Sequence, residues 1–184
     1  NSVQEGLASK LDIQGIYDLV GDKLHEIFKP DILFIAIYHT EKNMVSYPYA
    51  IGRGTKMNDL PDTDLGGFTG EAIRRRQTIV INEDIQRRSA EVNSYTMAGD
   101  EEPQSMVYVP IIAGENVLGA VSLQSYERRH IFPESDVRLL ETLTNSMRVA
   151  LQNAQSFKAE QERNAELAII NSVQEGLASK LEMQ

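Results

Sequence analysis

Gly66, Gly67, Phe68, Thr69 and Gly70 follow one another directly before a short amphipathic run. A glycine-flanked helix start offers backbone N–H groups and the positive end of a helix dipole, an arrangement that can hold a carboxylate or phosphate. The same glycines also permit a tight turn and close packing of helix on sheet. No charged side chain accompanies the motif, so packing is the favoured reading. His25, His39 and His130 are scattered and lack a companion carboxylate cluster, a poor set for a metal or haem. Cysteine is absent, which removes disulfides, thiolate nucleophiles, zinc knuckles and thiol redox chemistry together. No HExxH, phosphate loop or nucleophile elbow is present. The basic run Arg74-Arg75-Arg76 suits the negative end of a helix dipole on a solvated face.

These residues must be positioned by 184 residues with 18 Lys and Arg against 27 Asp and Glu, a net charge of −9. That length is one ordinary domain, alone or with an extension. Hydrophobic residues form 41% of the chain and charged residues 24%, the balance of a globular protein. The acidic excess argues against nucleic acid and anionic lipid as partners. The longest apolar run, residues 32–38, is too short for a bilayer, and the chain reads as cytoplasmic. It opens on Asn1 with no Met, which reads as a piece of a longer protein.

Residues 1–11 read NSVQEGLASKL, and residues 171–181 repeat that string without a change. Chance does not produce such a run, and it implies one whole unit plus the first residues of a second in a tandem array. Apolar residues at Ile13, Ile16, Tyr17, Val20, Leu24, Ile27 and Phe28 predict an opening helix over residues 3–28. Residues 32–40 and 44–51 predict a strand hairpin, with Pro48 marking an edge or a bulge. Residues 52–67 read as a polar loop. A short helix over 68–76 and a short strand over 78–81 follow. Residues 85–104 are polar and irregular, with one or two helical turns. A second hairpin spans 105–113 and 117–126. Beyond Pro133 there is no further proline, and the only glycine is Gly176, so a helix of roughly 70 Å is expected. Leu140, Leu143, Met147, Ala150, Ala154 and Phe157 step by three and four, as a dimer seam does. Leu167, Ile170, Gln174, Leu177 and Leu181 continue it one residue out of phase.

Four stretches together resemble the GAF domain family of small-molecule sensors in signalling proteins: the hairpin of residues 32–51 after its helix, GFTGEAIRRRQTIVINED at 67–84, SMVYVPIIAGENVLGAVSLQS at 105–125, and FPESDVRLLETLTNSMRVALQNAQSF at 132–157. The resemblance implies an α+β fold, an α/β/α sandwich. In it a central antiparallel sheet of five to six strands carries helices on one face, a loop-covered pocket on the other, and a long C-terminal helix. It implies a domain over residues 1–157, with opening helix 3–28 and closing helix 134–157. A helical linker at 158–170 and the start of the next repeat's opening helix at 171–184 follow. By the same resemblance Phe34, Tyr49, Phe68 and Thr69 lie nearest the pocket.

The function so implied is a non-enzymatic sensor or regulatory module of a signal-transduction protein. It dimerises through its first and last helices and works beside neighbouring GAF and output domains; the alternative is a purely structural spacer and dimerisation unit. Cyclic nucleotides are the family's best-known ligands, but of their five-residue signature only Phe132 and Asp136 match. Gln124-Ser125-Tyr126 stands where Asn-Lys is expected, and Val137 where Glu is. A covalent bilin needs a cysteine, as do the family's free methionine sulfoxide reductases, so no cofactor is expected.

Overall fold

The structure is a computed structural model that describes residues 12–94, 101–129 and 131–184. The chain runs α1 (Ile13–Phe28), β1 (Ile32–His39), β2 (Met44–Gly52), β3 (Thr55–Lys56), β4 (Thr63–Asp64), α2 (Gly67–Arg75), β5 (Ile79–Ile81), α3 (Ile85–Glu91), β6 (Ser105–Ala113), β7 (Asn116–Ser125) and α4 (Glu134–Glu182). All strand pairs are antiparallel, in the order β3-β2-β1-β7-β6-β5, with β4 also on β2. The sheet has seven strands rather than five or six, because the polar loop after β2 contributes the two-residue strands β3 and β4.

Helix α1 begins at Ile13 because Asp12 caps it: the Asp12 carboxylate accepts the Gly15 N–H at 2.8 Å. Asp12 itself is not helical, with ψ at 166°, so the helix expected over 3–28 does not run unbroken through it. Residues 1–11 lie outside the described residues. In the second copy of the repeat the same place is Glu182, which sits in the last turn of α4. Glu favours a helix interior where Asp favours a cap, so the drift after the repeat coincides with a change of local structure. Lys29, in the left-handed region, closes α1 by donating its N–H to the His25 carbonyl at 2.9 Å.

Strand side chains alternate between two cores. Leu33, Ile35, Val107, Val109, Val121 and Leu123 face α1 and the first half of α4, where they meet Ile16, Tyr17, Leu24, Leu140, Met147 and Leu151. Phe34, Ala36, Tyr108 and Met106 face the other way, toward α2, α3 and the loops, with Phe68, Ala72 and Ile85. The central β1–β7 contact is tight. A Cβ built on Gly119 would lie 1.9 Å from the Ala36 carbonyl oxygen.

Helix α4 continues for 49 residues, about 73 Å. From Lys158 onward every residue is exposed, including Leu167, Ile170, Leu177 and Leu181. The helix runs through Gly176 without interruption. Leu140 and Met147 are 1% and 0% exposed within their own domain. Their helical spacing therefore marks the sheet-facing stripe, not a seam open to a partner. Leu143, Ala150 and Ala154 are half-buried against the same core, and Phe157 is half-buried. Among the described residues no helix is long and apolar enough to cross a membrane.

Candidate functional site

Between the sheet and its loop cover lies a cavity of ≈ 70 Å³. Its floor is Phe34 from β1, Tyr47 from β2, Met106 and Tyr108 from β6, and Gln124 from β7. Gly67, Phe68 and Thr69 of α2 close one end; Ser89, Ser94, Glu102 and Pro103 cover it, and Thr63 and Asp64 of β4 form the rim. The rings make a continuous wall. Phe34 meets Tyr47 edge-on at 5.5 Å between centroids and Tyr108 at 6.1 Å, and Phe68 meets Tyr108 at 5.6 Å. Gln124 donates to the Tyr108 hydroxyl at 3.1 Å and to Ser122 Oγ at 3.2 Å. The hydroxyls of Tyr47 and Thr63 are 2.7 Å apart. Burial pushes the Tyr108 phenol well above its ordinary value, so it stays a neutral hydrogen-bonding group.

The glycine motif is built for packing. Gly67 has φ +58°, which a residue with a side chain adopts only under strain, and its N–H donates to the Val92 carbonyl at 3.2 Å. That donor is spent inside the fold. A Cβ on Gly70 would approach the Leu65 carbonyl to 3.0 Å. Behind α2 the buried Glu71 carboxylate meets Arg88 of α3 at 3.3 Å and Arg75 at 3.1 Å, tying the covering helix to the helix beneath it.

Phe34, Phe68 and Thr69 all line this cavity, but Tyr49 does not. Tyr49 is buried on the opposite face, where its hydroxyl donates to Asp22 at 2.8 Å and its ring fills the space over Gly21. The reason is a bulge. Ile35 pairs with Tyr49, yet Ile37 pairs with Ser46, so Tyr47 and Pro48 together oppose Ala36. On a regular strand Tyr47 and Tyr49 would share a face; the bulge sends Tyr47 to the cavity and Tyr49 to the helices. Pro48 carried that signal in the sequence. On the cavity floor, Tyr47, Met106, Tyr108 and Gln124 are not singled out for it by the sequence.

The other expected sites disperse. Phe132 is buried in the helix-side core, and Asp136 lies in the first turn of α4. His39 pairs with Ser46 Oγ at 2.7 Å, His25 is half-buried in α1, and His130 lies outside the described residues. No group of three His, Cys, Asp or Glu able to hold a metal occurs among the described residues.

A family profile described as GAF domain matches residues 10–152. Among curated proteins the chain is similar to the formate hydrogenlyase transcriptional activator of Salmonella typhimurium strains SL1344 and LT2, at 20% identity over 163 residues. That match takes in 85% of this chain and only 23% of the relative's length. Among solved structures, a fragment of a methyl-accepting chemotaxis protein superposes with TM-score 0.64 at 18% identity, covering 84% of this chain and 98% of that one. The free methionine-R-sulfoxide reductase of Neisseria meningitidis, solved with its substrate, gives TM-score 0.65 at 15% identity, covering 83% and 86%. At these identities the structural matches establish the fold alone. They also correct the expectation of a module without enzymatic activity, because the neighbours of this fold include enzymes.

Proposed function

The chain belongs to the GAF domain family, and we propose that it acts as a ligand-sensing regulatory unit of a larger signal-transduction protein, one of several tandem copies. The observation that carries this reading is the alternation along β1, β6 and β7. Phe34, Tyr108 and Gln124 wall the cavity, while Ile35, Val109 and Leu123 beside them hold α1 and α4. A ligand that resets the cavity wall acts on strands whose other side carries the helix leading out of the domain. It shifts that helix only by the difference in its affinity for two packings.

The unit works as a parallel homodimer beside further GAF copies and an output domain. A groove at the α1–α4 junction, where Leu19, Val20 and Leu143 are at least partly open, supports this reading, as does exposed apolar surface at Leu139 and Val149. The out-of-phase apolar positions of the free half of α4 extend the contact. The repeat at 171–181 then begins the opening helix of the next copy. A structural spacer is the second reading, favoured by how far Phe34, Phe68 and Tyr108 already fill the pocket.

Native mass spectrometry of the freshly purified chain separates the two. A small molecule released on denaturation supports the sensor. A mass equal to the bare chain, with no compound perturbing the cavity, supports the spacer. Light scattering at high micromolar concentration tests the dimer, and a monomer there defeats it.

A further inference from the structure

The charge around the cavity is one-sided. Residues 57–73, which supply its rim and one end, contain Asp59, Asp62, Asp64 and Glu71 and no Lys, Arg or His. Residues 89–127, which include its cover and two strands of its floor, contain Glu91, Asp100, Glu101, Glu102, Glu115 and Glu127 and again no Lys, Arg or His. The nearest guanidiniums are committed elsewhere. Arg75 and Arg88 pair with Glu71, Arg74 donates to the Leu65 carbonyl, and Arg53 pairs with Glu101. Asp64 and Glu102, both in the cavity lining, have no ion-pair partner among the described residues. A site of this sign attracts cations and repels anions.

The interior asks for the same ligand. Gln124 is 7% exposed, and its amide NH₂ is used by Tyr108 and Ser122. Its carbonyl oxygen accepts no hydrogen bond from the described residues, which leaves an acceptor free on the cavity floor for a ligand donor. The wall around it is four aromatic rings, whose π-faces carry negative charge and hold ammonium groups. Room is limited: ≈ 70 Å³ corresponds to about five water-sized positions.

We propose that the cavity between Phe34, Tyr47, Phe68, Tyr108 and Gln124 takes a small organic ammonium ion, its N–H groups toward the Gln124 carbonyl and its charge held by the rings, Asp64 and Glu102. This rests on reading the cavity as a ligand site. A carboxylate or phosphate ligand finds no cation in the lining, and the carboxylates of Asp64 and Glu102 repel it.

The test is a titration of the isotope-labelled chain followed by NMR, with propylammonium, tetramethylammonium and propionate as probes. Propylammonium should shift the amides of Phe68, Tyr108 and Gln124 and bind about tenfold more tightly than propionate, with tetramethylammonium between them because it lacks a donor. Raising the salt should weaken the binding. The Asp64→Asn/Glu102→Gln double variant, altered at the rim and cover, should lose about fivefold and flatten that salt dependence. Tyr47→Leu should lose a similar factor. Propionate binding at these residues more tightly than propylammonium overturns the ammonium assignment and leaves the ligand site standing. An unchanged propylammonium affinity in the double variant also overturns the assignment. Silence of all three amides toward every probe at tens of millimolar overturns both.

Discussion

The two faces of the sheet are closed in different ways. On one, aliphatic side chains of β1, β6 and β7 meet two long helices, and Leu24, Leu33, Ile35, Val107, Val121, Leu123, Leu140 and Met147 are buried almost completely. On the other, the cover is one helix of nine residues, one of seven, and loop; aromatic rings, Gln124, Ser122 and Thr69 lie beneath it, and space remains. A face closed by interdigitating aliphatics gains stability and leaves no room for a ligand. A face closed by loops gives up packing and gains a site. The bulge at Tyr47 and Pro48 lets one strand serve both.

The largest effects should fall on the helix face. Leu140→Ala or Met147→Ala removes a buried side chain where rigid neighbours cannot collapse, at a cost of about 3 kcal/mol in urea unfolding. Tyr47→Leu on the cavity face, where the side chain is half-buried, should cost less than about 1 kcal/mol. Equal costs would break the comparison. Next comes Gly21→Ala. The new Cβ would lie 2.5 Å from the Tyr49 ring, and the overpacking should cost about 1–3 kcal/mol. The same change at Gly176, whose Cβ would meet nothing within 4 Å, should not destabilise.

High pH sharpens the comparison further. Burial on the helix face pushes the Tyr17 phenol from its ordinary value of 10.0 up to about 12. A pKa raised in the folded state means the neutral form is favoured there. The stabilisation is therefore complete below pH 10 and is lost as the pH climbs from 10 toward 12. Tyr17→Phe should make the alkaline limb of the stability curve shallower. It should not abolish it, because the Tyr108 phenol on the cavity face is raised for the same reason.

What the sequence reveals follows from how local each cause is. Both long hairpins, the α2 start and α4 are legible because alternation, turn residues and helix formers act within a few residues. The break at Asp12 is not legible, since apolar periodicity is silent about whether Asp12 caps or continues a helix. The family resemblance puts Tyr49 nearest the pocket, whereas the bulge at Tyr47 and Pro48 turns it to the helices; Pro48 marks a bulge without fixing the register. The spacing of Leu140 and Met147 suits a dimer seam as well as a buried stripe, because a heptad-like pattern looks the same whether it meets a sheet or a second helix. In the sequence Gln124 stands out only as a mismatch to a nucleotide signature. Its cavity role depends on β7 lying between β1 and β6.

The smallest effect expected concerns the free half of α4. Residues 158–184 are exposed throughout and touch neither core. In a single chain they hold only hydrogen bonds within the helix itself, and most of a helix's stability in a protein comes from packing that this half lacks. Ending the chain after Phe157 should therefore leave the urea midpoint of dilute protein within about 0.5 kcal/mol of the full chain. The same deletion should weaken the proposed dimer, because it removes the exposed apolar residues Leu167, Ile170, Leu177 and Leu181 that would meet the partner helix. Unfolding measured from low to high micromolar concentration reads both. The full chain should gain stability with concentration, and the shortened chain should gain less. A deletion that destabilises the dilute protein by several kcal/mol would mean the rod is part of the domain's own core and would end its reading as a connector.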